Sequence, residues 1–266
     1  MSGDYVPFEF PLELEQDIFA FAFRQNRFDA LNLLLVSKTV FGWIIPLLYE
    51  VVVIGAGSQI GEDQIKEYGH HVRHLHVQGS AGWAAYCPRA FDIALWLRPT
   101  PNEIEDILEL PIIQLSTEIH IFFNRTPKML AFCSRITHLD ITTGSHWDPR
   151  EIIPHFLALS HVAMFSNVDL HIIKTCLEVG RDLELKLMIL LSWNSKHHAT
   201  ETETDPLYEE EREPGDEEHV IRVVLQRPYI EDWEEGAWGG VDMWAFADQV
   251  LDKRRIETSK SQTSIA

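Results

Sequence analysis

Three groups of residues in this sequence have the types and spacing that chemistry could use. The first is the run Val51-Val52-Val53-Ile54-Gly55-Ala56-Gly57-Ser58-Gln59-Ile60-Gly61. Glycines placed after a strand can turn the chain tightly and bring its backbone against a pyrophosphate held at the next helix N-terminus. The reaction class implied is a nucleotide-dependent oxidoreductase using Gly55–Gly61. The spacing weighs against it. Gly61 falls one place late for G-x-G-x-x-G, and the following strand ends at Val77-Gln78-Gly79 without a carboxylate for the ribose hydroxyls. A flexible glycine connector accounts for the run, and no cofactor is expected.

The second group is His70, His71, His74 and His76, at a helix-to-strand junction. On a strand, His74 and His76 share a face, so two imidazoles could reach one metal ion. No Asp, Glu or Cys joins them at ligand spacing within the segment, and they read as surface or turn histidines. His197-His198 could collect a metal only adventitiously. The third group is Cys87, Cys133 and Cys176, an odd count with no C-x-x-C spacing. That excludes a disulfide framework and a zinc knuckle and predicts buried small hydrophobes in a reducing compartment. The chain has no G-x-S-x-G elbow, H-E-x-x-H helix or phosphate-binding P-loop. The expectation is therefore no catalytic residue, no metal site and no enzyme.

Composition narrows the partners. The chain has 266 residues, 45% of them apolar, and a formal net charge of −19. Such a balance repels phosphate backbones, which excludes broad nucleic-acid binding. No basic and apolar leader opens the chain, and the longest apolar stretch, Val40–Ile54, is broken by Gly42, Pro46 and Glu50. A cytoplasmic or nuclear protein that does not enter membranes is expected. Ten acidic residues against one arginine crowd Glu201–Glu218, with Pro206 and Pro214. A run of that kind solvates and repels itself, so 197–218 reads as a disordered insertion.

The elements that must position these residues come in two styles. Near the N-terminus, Pro11 is pre-set for a first helical turn, and Leu14, Ile18 and Phe21 recur at helical spacing with Phe19 and Ala22 beside them. After a polar break at Arg24–Arg27, a second apolar segment runs from Leu31 to Val36, and the chain reaches Trp43 before Pro46. Two or three short helices then hand over to a strand at Val51–Ile54. From Val72 the rhythm changes to short alternating segments: Val72–Val77, Ile119–Phe123, Ile136–Ile141, Leu159–Phe165, Leu183–Leu191 and Val220–Leu225. Helical stretches lie between them at Pro101–Leu110, Arg150–Leu157 and Val168–Val179. With Leu75, Leu97, Ile119, Leu139, Val162 and Leu187 as markers, the gaps are those of leucine-rich-repeat units, each a strand with a helical return. A final helix with Trp244, Val250 and Leu251 on one face, and Lys253-Arg254-Arg255 suiting its C-terminus, caps the last strand. Trp233, Trp238 and Trp244 read as packing residues.

Phe10-Pro11-Leu12-Glu13-Leu14-Glu15-Gln16-Asp17-Ile18-Phe19 resembles the opening of an F-box, and Leu33-Leu34-Leu35-Val36-Ser37-Lys38 resembles that family's second helix. Trp43 and Pro46-Leu47-Leu48-Tyr49 are similar to its close. Phe10 departs from the leucine the family prefers there. Downstream, Ile136–Ile141, Leu159–Ala163 and the tryptophan-rich close resemble short fungal F-box proteins with a degenerate leucine-rich region. The resemblance implies docking on the Skp-type adaptor of a cullin–RING ubiquitin ligase, with a protein substrate presented downstream. It carries adaptor contact onto Pro11, Leu12, Ile18, Phe19, Val36, Trp43 and Leu48. A ligase-independent interaction scaffold is the alternative.

The expected fold is α+β: an all-helical F-box-like module over 6–53, then an irregular leucine-rich-repeat-like α/β region with a C-terminal capping helix. A glycine-containing connector is expected over 54–70. The α/β region spans 71–255 and holds the acidic insertion, and 256–266 is a flexible tail.

Overall fold

The protein is described here from a computed structural model, for residues 10–55, 58, 60–96, 98–119, 125–142, 147–165, 167–193, 208–211 and 219–263. It is a mixed α/β fold. Three helices open it: α1 (Leu12–Gln25), α2 (Ala30–Leu34) and α3 (Lys38–Leu48). Ser37 caps α3 by accepting the Val40 N–H at 3.1 Å. Phe23, Ala30, Val40 and Ile44 form the small core of this unit, with Phe19 and Trp43 packed against it.

A nine-stranded sheet follows, in the order β1-β2-β3-β4-β5-β6-β7-β9-β8. The strands are β1 (Val51–Ile54), β2 (His74–Val77), β3 (Asp92–Leu95), β4 (Gln114–Thr117), β5 (His138–Ile141), β6 (His161–Phe165), β7 (Leu187–Trp193), β8 (Tyr208–Glu211) and β9 (Val220–Leu225). All neighbours are parallel except β8, which runs antiparallel on β9. A parallel neighbour requires a crossover, and from β1 to β7 each crossover lays the next strand beside the last. The returns are α4 (Glu62–Tyr68), α5 (Pro101–Glu109), α6 (Pro127–Cys133), α7 (Pro149–Ile152) and α8 (Leu170–Arg181), with 3-10 turns at Gly69–His71 and Ala81–Tyr86.

The repeat is written in hydrogen bonds. The N–H groups of residues 73 and 74 both reach Glu50 O, those of 91 and 92 reach Arg73 O, and those of 113 and 114 reach Phe91 O. The same step recurs at Ile113 O, Thr137 O and Ser160 O. Three returns also share a start: Thr100-Pro101, Thr126-Pro127 and Asp148-Pro149 each put a capping oxygen before a proline in the first turn. Proline loses nothing there, because that N–H has no helical partner. Register makes Val52, Leu75, Ile93, Leu115, Leu139, Val162 and Met188 equivalent, so the repeat length runs from 18 to 26 residues.

Several sequence expectations are corrected. The strand expected over Ile119–Phe123 lies earlier, at β4, and residues 120–123 and the Leu97 marker are outside the described residues. The true marker of the preceding repeat is Ile93, in a strand the alternation did not reveal because Asp92-Ile93-Ala94-Leu95 has one small residue and one acid in four. Tyr208–Glu211 is a strand inside the stretch expected to be disordered. The last two helices are α9 (Tyr229–Ala237) and α10 (Met243–Thr263). Because α10 continues to Thr263, residues 256–263 are helical and Lys253-Arg254-Arg255 lies mid-helix. Arg254 does not cap a terminus; it is buried and donates to Glu210 Oε1 and Val220 O. β1 belongs to the sheet through its pairing with β2, so residues 51–53 are not part of the helical module.

The sheet has two unlike faces. One carries an apolar row from β1 to β7: Val52, Leu75, Ile93, Leu115, Leu139, Val162 and Met188 join the main core with the return helices. The three cysteines are free and buried, as their spacing predicts. On the other face Leu187, Ile189, Leu191, Ile221, Val223 and Leu225 bury against Met243, Ala247 and Leu251 of α10. Across β2 to β5 that same face is polar.

Candidate functional site

Strand periodicity places every second residue on one face, and register aligns two polar rows across the sheet. One row is His74, Asp92, Gln114, His138 and His161; the next is His76, Ala94, Ser116, Asp140 and Ala163. Helix α9 and the start of α10 lie over these rows. Between them is a cavity of about 190 Å³ lined by His74, Asp92, Gln114, Ser116, His138 and Asp140 from the sheet side. Tyr229, Trp233, Asp242 and Trp244 line it from the helices.

The side chains in this layer hold one another. His74 Nδ1 lies 2.9 Å from Asp92 Oδ2, and Trp233 donates to the other Asp92 oxygen at 3.4 Å. Asp140 Oδ2 accepts from Ser116 at 2.8 Å and from the Tyr229 hydroxyl. Its second oxygen, Oδ1, has no hydrogen-bond partner among the described residues. Burial raises the Asp140 carboxyl to about 6, against the pull of its two hydrogen bonds. Asp242, which caps α10 by accepting the Ala245 N–H at 2.8 Å, is also pushed up to about 6, again mainly by burial. The His138 ring stacks on His161 at 4.2 Å and is pushed down to about 4, mainly by burial. His76 is fully buried between Trp96 and Trp233, with neither ring nitrogen bonded among the described residues, and burial lowers it to about 4. Its imidazole is neutral at neutral pH.

A second network fixes the cap. Asp232, almost fully buried, pairs with Arg227 at 2.9 Å, accepts from the Tyr208 hydroxyl and receives the Met243 N–H at 3.1 Å. One carboxylate thereby ties α9 to the start of α10 and to the edge strand β8. The opposite side of the cap carries the N-terminal unit: Phe23 meets Trp238 edge-on at 5.8 Å, and Arg27 sits 4.8 Å over the same indole.

Of the four histidines at the β2 junction, His70 is exposed and His71 half-buried in the 3-10 turn Gly69–His71, as turn or surface residues, whereas His74 and His76 are covered, contrary to the sequence expectation. His74 and His76 lie under α9, and the acid missing from their own segment arrives from β3 as Asp92. Among the described residues, no three His, Cys, Asp or Glu converge as a metal ion would need. The glycine run lies at β1, the outer strand, where the strand order does not reverse as it does at a dinucleotide crevice. Gly55 faces the Gln78 side chain, and residues 56, 57 and 59 are outside the described residues. His197 and His198 also lie outside them.

The seven residues expected to contact an adaptor divide in two. Pro11, Leu12, Ile18 and Val36 are exposed. Phe19, Trp43 and Leu48 are half-buried against the unit's own core, with the Phe19 and Trp43 rings 6.1 Å apart. Leu14, Ile18 and Phe21, one stripe of α1, all face outward. The polar cavity escaped the sequence reading. Its signal was present as the polar alternates of His-Leu-His-Val, Gln-Leu-Ser-Thr and His-Leu-Asp-Ile, which an uncovered sheet would turn to water. No helix of the described residues is long and apolar enough to cross a membrane. Comparison with known protein families, with curated proteins and with solved structures found no match.

Proposed function

We propose that the protein is a substrate-recognition subunit of a Skp–cullin–F-box type ubiquitin ligase. Its N-terminal helices dock the adaptor and its sheet domain presents a protein substrate. One observation carries the reading. Among the described residues, nine of the fourteen exposed large apolar side chains lie between Phe10 and Phe41, each 41–84% exposed. They include Leu12, Ile18, Phe21, Leu31, Leu35 and Val36. Isolated apolar residues at a surface need no explanation, but so many on one small helical unit mark a face that a partner helix completes. The sequential parallel sheet, with one strand per repeat, supports the leucine-rich-repeat-like reading of the remainder. The subunit performs no bond chemistry itself in this reading; ubiquitin transfer belongs to the assembled ligase.

The test is co-purification of the full chain with a Skp-type adaptor, beside the variants Ile18→Asp and Leu35→Asp. Both positions are more than half exposed, so each charge costs the fold little, within about 0.5 kcal/mol. In a docked interface either charge is desolvated, and affinity falls by about tenfold or more. Capture of the adaptor by the parent alone supports the proposal. Failure of the parent to bind, or undiminished binding by both variants, refutes it.

A further inference from the structure

The cavity under α9 has a charge that its own walls do not balance. Asp92, Asp140 and Asp242 line it, and among the described residues no lysine or arginine does. Asp140 is almost fully buried and keeps one carboxylate oxygen without a partner among the described residues. A buried acceptor left unmade costs free energy, and a charged one costs more. Four aromatic rings also line it: Phe91, Tyr229, Trp233 and Trp244. Carboxylates beside indole and phenyl faces form the environment that attracts an organic cation, through Coulomb attraction and the ring quadrupole together. A metal ion is a poorer fit, since no three ligating side chains converge among the described residues. At about 190 Å³ the cavity is larger than the ~150 Å³ that accepts benzene. Trp233, Asp242 and Trp244 are only half-buried, so entry lies on the helical side.

We propose that this cavity binds a small organic cation, an ammonium group held against Trp233 and Trp244 with Asp140 and Asp242 as its counter-charges. His138 contributes a neutral wall, and the His74–Asp92 pair closes one end. The N-terminal helices supply none of these residues, so the inference stands or falls independently of adaptor docking.

The test titrates the full chain with tetramethylammonium and n-butylammonium chloride, following tryptophan fluorescence and thermal unfolding. Sodium chloride at equal ionic strength is the control, and neopentyl alcohol is a neutral molecule of similar shape. A saturable response to an ammonium ion, absent with salt and at least tenfold weaker with the alcohol, is expected. Asp242→Asn keeps the helix cap, since asparagine caps as well as aspartate, and should weaken ammonium binding about tenfold, one charge-assisted contact of roughly 1.4 kcal/mol. Asp140→Asn, with folding checked by circular dichroism, should weaken it at least as much. A short lysine-containing peptide then distinguishes sources: its binding assigns the ammonium group to a protein side chain, and its exclusion assigns it to a free amine. The proposal is overturned if no ammonium ion gives a saturable response up to about 10 mM, an affinity near 3 kcal/mol. Equal binding of the neutral alcohol, or undiminished binding by both asparagine variants, overturns it as well.

Discussion

Histidine 76 shows how far burial changes a residue from its sequence-level character. Both ring nitrogens lack partners among the described residues, and aromatic rings pack beside it, so it serves as an apolar side chain with a polar penalty. Its folded pKa of about 4 lies below the ordinary 6.5. Between those values the unfolded chain binds more protons than the folded one. Its stabilising contribution is thus complete above the ordinary pKa and is lost as pH falls toward the folded one. His76→Leu, close in volume and with nothing to protonate, should be at least as stable as the parent at pH 7. At pH 5 it should be more stable by about 2 kcal/mol, read from urea unfolding at the two values. Asp140 acts with the opposite sign. Raised from 3.8 to about 6, it keeps its proton longer in the folded state, so its contribution falls as pH rises through that window. Asp140→Asn should therefore make the loss of stability on acidification steeper than in the parent.

At the scale of elements, α3 is a helix built with two weak helix formers. Pro46 lies inside it, and Gly42 sits on its exposed surface. A Cβ at position 42 would meet nothing within 4 Å. Gly42→Ala should thus stabilise the protein by about 0.5–1 kcal/mol, by restricting the unfolded chain and not by adding a contact. Thermal unfolding reads this as a raised midpoint. Gly69 gives the contrasting case, because a Cβ there would run into the backbone carbonyl of Tyr86 in the neighbouring turn. Gly69→Ala should destabilise by more than the helical change gains. The two glycines have the same composition and opposite roles, and only the close approach of Gly69–His71 to Ala81–Tyr86 separates them.

On the scale of the molecule, stability should be graded from the centre of the sheet outward. Strands β4 to β7 have neighbours on both edges and helices on both faces. By contrast, α1 buries a single residue, Phe23. Native-state hydrogen exchange should find the slowest amides in β5 to β7 and the fastest among helical amides in α1. Uniform protection across both would mean that the N-terminal unit opens only with the whole fold. Ile45 and Tyr49 of this unit belong to the main core, while Phe23 touches Trp238. The seats of Ile45 and Tyr49 should protect α3 more than Phe23 protects α1.

The strands at Val51–Ile54 and Val220–Leu225, the three opening helices and the return helices over 101–109 and 170–181 were legible in the sequence. They are local: periodicity, caps and proline position act within a few residues. The same locality explains the misses. Asp92–Leu95 has no pattern of its own and becomes a strand because β2 and β4 hold it on both sides. Tyr208–Glu211 is a strand because β9 offers an edge and Tyr208 reaches Asp232. The polar face is the deepest case. His74, Asp92, Ser116 and Asp140 are spread over sixty-odd residues of chain and alternate as solvent-facing residues do. Nothing in that spacing says that a helix formed by residues 229–237 returns across the sheet and takes the water away. Patterning by itself determined which residues share a face; the tertiary return of α9 and α10 decided that the face is buried, since burial depends on what covers a surface and the covering residues lie far along the chain.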